Sequence, residues 1–111
     1  MSYKYIFEIK VRPGEEKEFI KHWHNGSAPI QQCAGALGTR LYKKQEESNT
    51  YIAIAEWESK NARKAAFTEL NKKDNIRGQE MRKWGNNEDF GEVTIIGGFD
   101  EIDNVLPSKV Y

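Results

Sequence analysis

The chain has 111 residues, enough for one compact domain and its core but not for two. Its 17 Lys and Arg balance its 17 Asp and Glu, so no overall field draws it to nucleic acid or to an anionic membrane. A single cysteine, Cys33, excludes an internal disulfide and fits packing in a reducing compartment, and neither an apolar run of about 18 residues nor a signal-peptide core appears, so a soluble cytoplasmic protein without a membrane partner is expected.

From Tyr3 to Val11 the odd positions read Tyr, Tyr, Phe, Ile, Val, a period of two that predicts a strand with one apolar face. Pro13-Gly14 turns the chain. Glu15, Glu16 and Glu18 favour the positive end of a helix dipole, so a helix is predicted from near Glu15, with Phe19, Ile20 and Trp23 as its buried stripe. Gly26 and Pro29 oppose a regular helix interior and predict a kink or break, followed by a further turn from Ile30 to Cys33.

A second strand is predicted from Leu37 to Lys44, with Leu37, Thr39 and Leu41 on one face and Arg40 and Tyr42 on the other. The polar run Gln45 to Asn49 reads as a hairpin loop. Tyr51 to Trp57, nearly all apolar, predicts a central strand covered on both faces. Ser59 is a suitable N-cap for a helix from Lys60 to about Leu70, where Ala62, Ala66 and Leu70 recur every four residues. A short helix is predicted over Asp74 to Trp84, and a fourth strand over Phe90 to Phe99 from the alternation of Val93, Ile95 and Phe99. Gly97-Gly98 marks a bulge or a close backbone approach within it.

The order strand, helix, strand, strand, helix, strand is that of an α+β, ferredoxin-like βαββαβ sandwich with an antiparallel sheet. Helices then cover one face only. The other carries Ile6, Glu8 and Lys10, joined by Ile52, Ile54 and Glu56, a half-apolar surface better explained by a homodimer than by exposure. The tail from about residue 101 to 111, ending LPSKVY, is too sparsely apolar for a strand but sufficient to dock on a partner, and the whole chain, 1–111, reads as a single domain.

Three stretches, VRPGEEKEFIKHW, GALGTRLYK and YIAIAEWESKNARKAAF, resemble the antibiotic biosynthesis monooxygenase family of the dimeric α/β-barrel class. The likeness covers residues 3 to about 67, and the remainder by strand order only. It implies a homodimer whose sheets face one another as a barrel, with a cavity in each subunit between sheet and helices. Members with assigned activity oxidise aromatic phenols or quinols with dioxygen and without metal or flavin, the substrate donating the electrons; many others have no known activity. The resemblance therefore implies a small aromatic ligand and no cofactor, and leaves open a noncatalytic ligand-binding or interaction dimer on the same fold.

The two histidines of HWHNGSAP do not form a metal pair, because positions two apart on a helix point nearly opposite ways, and no other histidine is present. Both are read as flanking the Trp23 stripe. His24, beside Ile20, is the candidate proton acceptor from a phenol, since imidazole exchanges protons readily near neutral pH; a solvated helix boundary is the alternative. Trp23, Tyr42, Trp57, Phe67 and Trp84 are candidates for lining a flat substrate cavity, against ordinary core packing. Arg40 is the candidate for stabilising a phenolate or enolate, against a surface ion pair. If Leu41 faces the helices, Arg40 and Tyr42 point away from the cavity. A haem-degrading branch of the same fold is resembled less, since the first strand has no Asn, Phe67 falls near a Trp position, and the segment Asn75 to Trp84 has no His.

Overall fold

Alternation from Tyr3 onward builds β1 (Tyr3–Val11), whose odd residues Tyr3, Ile9 and Val11 are buried. The computed structural model describes residues 2–108. After the Pro13-Gly14 turn, where Gly14 takes a positive φ of 89°, come α1 (Glu16–Ile30), β2 (Ala36–Lys43), β3 (Thr50–Trp57), α2 (Lys60–Leu70), α3 (Ile76–Arg82), a single 3₁₀ turn at Asn87–Asp89, and β4 (Gly91–Asp100). The four strands form one antiparallel sheet in the order β2-β3-β1-β4. The two central strands are the two most apolar ones, and the predicted ferredoxin-like order of elements is observed.

The core lies between the helices and one face of the sheet. At one end Ile9, Val11 and Tyr51 pack with Phe19 of α1; at the other Tyr3 and Trp57 pack with Ala66 of α2. Trp57, Phe19, Ile9 and Leu70 are the largest fully buried side chains, and truncating such a side chain costs about 3–5 kcal/mol for an aromatic. Helix α2 starts where its sequence cap requires, with the Ala62 N–H donating to Ser59 Oγ at 3.0 Å. Ser59→Ala is expected to cost about 1 kcal/mol, read as a lowered urea midpoint at unchanged slope.

Three expectations are corrected. Helix α1 does not break at Gly26, and no further helical turn runs from Ile30 to Cys33: the helix is continuous to Ile30 and gives way to turns. Gly26 stays within the continuous helix with Trp84 and Met81 at ordinary contact distance from the place a Cβ would take, and Pro29 sits in the last turn, where forfeiting the bond to the Asn25 carbonyl leaves little helix beyond it to disrupt. The buried stripe is Phe19, His22 and Pro29, while Ile20 is 44% exposed and Trp23 only half-buried. The short third helix is confined to Ile76–Arg82 because Asn75 caps it, Oδ1 accepting from the Gly78 N–H at 2.8 Å.

In β4 the register against β1 slips where Phe7 faces Ile95 but Ile6 faces Gly97, so Ile96 is the extra residue of a bulge at the expected place. The slip reverses the facing of the strand beyond it. Val93 and Ile95 share the helix face with Ile9 and Phe7, whereas Phe99 pairs with Lys4 on the opposite face. That helix-free face gathers Ile6, Ile52, Ile54, Tyr42 and Phe99, with Arg40, Glu8 and Glu56 among them. Glu56 is held below the ordinary carboxylate range by a hydrogen bond from Ser2 and then by Lys4, whose Nζ lies 3.4 Å away. The tail beyond β4 leaves Ile102, Val105 and Leu106 exposed; its last three residues, 109–111, lie outside the described part.

Candidate functional site

The sheet and the helices do not close completely on one another. Between Tyr5, Phe7, Val93 and Ile95 on the sheet and Trp23 and Ser27 of α1, Phe67 of α2 and Met81 of α3 lies a cavity of about 340 Å³, within the usual range of small-molecule sites. Its floor is apolar because the helix-facing positions of β1 and β4 are. Polar groups enter from Ser27 and His22 of α1, Arg63 of α2, Arg82 of α3 and the loop Gly85 to Glu88, which brings Asn87 to His22.

His22 occupies the third position after Phe19, which turns its ring inward, and it is only 7% exposed. The ring packs against Phe90 at 4.9 Å between centroids. Nδ1 meets the backbone carbonyl of Trp84, and Nε2 lies 3.0 Å from Oδ1 of Asn87. The backbone carbonyl can only accept and cannot turn, so Nδ1 carries the proton; the neutral ring then has its lone pair on Nε2, and the Asn87 amide, whose oxygen and nitrogen exchange places by a half-turn, presents its NH₂ to it. The tautomer is thereby fixed by a backbone group, the arrangement that directs an imidazole to one proton-accepting atom.

Arg63 lies one helical turn before Phe67 on α2. Its guanidinium stacks over the Tyr5 ring at 3.7 Å and over the Phe67 ring at 4.8 Å, and it forms no ion pair among the described residues. Stacking uses the faces of the guanidinium and leaves its in-plane N–H donors free. By contrast Arg82, also at the cavity, is committed to the Leu70 carbonyl at 2.7 Å. A smaller space of about 80 Å³ shares Arg63 as a wall and is lined also by Tyr5, Thr39, Trp57 and Phe67.

Of the residues singled out from sequence, the cavity collects Trp23 and Phe67. Trp57 is 1% exposed and walls the smaller inner space. Trp84 contributes its carbonyl to His22 and its Cβ to the surface of Gly26. His24 is exposed on the outer flank of α1, in a groove shared with Ile20, Arg40 and Tyr42 beside the edge strand β2. Register settles the orientation of β2: Leu41 packs on the core cluster, while Arg40 and Tyr42 sit opposite Ile54 and Ile52 on the helix-free side. The sequence favours His24 over His22 and singles out neither Arg63 nor Asn87; helical spacing from Phe19 and from Phe67 is the signal for His22 and Arg63, and Asn87 carries none. Among the described residues no three His, Cys, Asp or Glu side chains converge as metal ligands.

The antibiotic biosynthesis monooxygenase family profile matches residues 2–72, nearly two thirds of the chain. The chain belongs to this family. The matched segment carries His22, Arg63 and Phe67, whereas Asn87 and α3 lie beyond it. The monooxygenase fold is also found in solved structures. SnoaB, a cofactor-independent oxygenase from Streptomyces nogalater, is 18% identical, with 96% of this chain and 98% of that one covered at a TM-score of 0.68. An antibiotic biosynthesis monooxygenase from Bordetella bronchiseptica, so described provisionally, is 22% identical over 91% of this chain and 97% of its own, TM-score 0.69. MhuD, solved as a point mutant with two manganese protoporphyrin IX molecules per active site, is 18% identical over 96% and 100%, TM-score 0.69. At these identities the likeness is one of fold. No curated protein matches the chain in sequence, and among the described residues no helix is long and apolar enough to cross a membrane.

Proposed function

We propose that the protein is a cytoplasmic, cofactor-independent monooxygenase that oxidises a small phenol- or quinol-type aromatic with dioxygen in this cavity. The observation that carries the reading is the pairing, on an aromatic floor, of an imidazole of fixed tautomer with an unpaired guanidinium. His22 Nε2 takes the acidic proton of the substrate where Asn87 now meets it, and Asn87 turns its amide to the substrate oxygen. The resulting anion, held by Arg63, gives one electron to dioxygen, and the two radicals combine to form a carbon–oxygen bond. For a substrate with a CH₂ between aromatic rings, the peroxide then loses its remaining C–H proton and its O–O bond breaks. The carbon becomes a carbonyl, and the distal oxygen leaves as water. All electrons come from the substrate, and a half-buried cation beside the developing anion lowers the barrier.

The same reading makes the protein a homodimer. The helix-free face, with Tyr42 and Phe99 each about half exposed, is covered by the same face of a second copy, and the tail from residue 101 docks its Ile102, Val105 and Leu106 on that partner. The single domain then spans 1–111. In buffer containing a chelator, an anthrone and hydroquinone panel is expected to show uptake of one dioxygen per substrate oxidised, measured with an oxygen electrode. Saturable binding without uptake across the panel makes the protein a noncatalytic ligand binder instead, and the oxygenase reading fails.

A further inference from the structure

The charge balance of the cavity goes beyond the reaction class, because it specifies what the ligand must carry. The Arg63 guanidinium lies over the rings of both Tyr5 and Phe67, contacts that restrict its orientation. Its donors, aligned in that plane, find no carboxylate among the described residues. Such a group is a preorganised fork for two coplanar oxygens. The other arginine of the cavity is tied to Leu70, and the one lining carboxylate, Glu88, is on the exposed loop. A neutral aromatic would fill the floor and leave the fork dry and unbonded, at the cost of desolvating an unpaired cation. An aromatic with two oxygens on one edge, at least one of them anionic, satisfies it.

We infer that Arg63 is a specificity-determining residue and that the natural ligand is an acidic aromatic with paired oxygens on one edge, an ortho-hydroxy carboxylate. The ring lies over the Tyr5 and Phe7 floor, and the oxygen pair meets the guanidinium edge. This rests on the cavity being the ligand site, but not on the protein turning its ligand over.

The test is equilibrium binding without turnover, with hydroxynaphthoate as the anionic probe and methoxynaphthalene as the neutral probe of similar shape, followed by calorimetry and by the amide and side-chain NMR shifts of Arg63. The wild-type protein is expected to bind hydroxynaphthoate at least about tenfold more tightly, as charge-assisted bidentate bonds require. Arg63→Leu is expected to abolish that preference while leaving methoxynaphthalene binding within about twofold. Arg63→Lys, which keeps the charge but not the fork, is expected to recover only part of it. Equal binding of the two probes by the wild type overturns the assignment, with no variant needed. An Arg63→Leu protein that loses both probes equally overturns it as well, since the arginine then only packs the wall. A missing oxygen uptake with the anionic preference intact removes the oxygenase reading alone.

Discussion

Gly78→Ala is expected to destabilise the protein by about 3 kcal/mol or more, a fall in Tm of roughly 10–20 °C for a domain of this size. A glycine to alanine change inside a helix ordinarily stabilises by up to about 1 kcal/mol, so the direction must come from the surroundings. A Cβ at position 78 would lie 1.8 Å from the Leu70 carbonyl oxygen and 2.8 Å from its carbon. Those are backbone atoms at the end of α2, and they cannot swing aside as a side chain could. Helix α3 must retreat, and the Arg82 hydrogen bond to the same carbonyl goes with it. Because α3 supplies Met81 to the cavity and leads directly to the Trp84 carbonyl that holds His22, ligand binding should fail together with stability. Gly26→Ala is the control: its added Cβ would meet Trp84 Cβ at 3.6 Å, ordinary contact, and its urea midpoint should stay level or rise. A Gly78→Ala protein as stable as the wild type would mean that α3 does not dock on α2 in this way.

The elements legible in the sequence are those whose signal is local. The period of two in Tyr3 to Val11, the Ser59 cap and the glycine pair of β4 each correspond to what is observed, because strand facing, capping and bulging are decided within a few residues. What was not legible depends on partners distant in sequence. Gly26 and Pro29 look like breakers until α3 packs against the glycine and the helix ends just beyond the proline. His22 and His24 look alike as flanks of Trp23; Phe90, Asn87 and the Trp84 carbonyl, all more than sixty positions away, select the first. Arg63 sits on the half of α2 that alanine spacing assigns to a close approach to the sheet, yet its long side chain crosses to Tyr5 and turns an ordinary helix position into an unpaired cation of the cavity wall. Residue type alone points to Arg40 for the same chemistry, and the strand register places it opposite Ile54 on the other face.

The second large effect is expected at the imidazole itself. His22→Ala should lower the rate of oxygen uptake by about a hundredfold to ten-thousandfold, the usual contribution of a positioned general base, whereas His24→Ala, on the outer flank of α1, should stay within about twofold. Part of any loss in His22→Ala is structural. The Trp84 carbonyl loses its donor and Asn87 its partner, at about 1–3 kcal/mol for each buried group left unmade, so a folding defect could imitate a catalytic one. His22→Asn separates the two, since its amide nitrogen takes the place of Nδ1 and can still donate to the Trp84 carbonyl but cannot take a proton. An asparagine variant that folds like the wild type, binds hydroxynaphthoate like the wild type and has lost turnover identifies Nε2 as the proton acceptor. One that retains turnover leaves the histidine as a strut between α1 and the loop before β4, and the proton must then go to another group, with Asn87 unable to serve because an amide is no base at neutral pH.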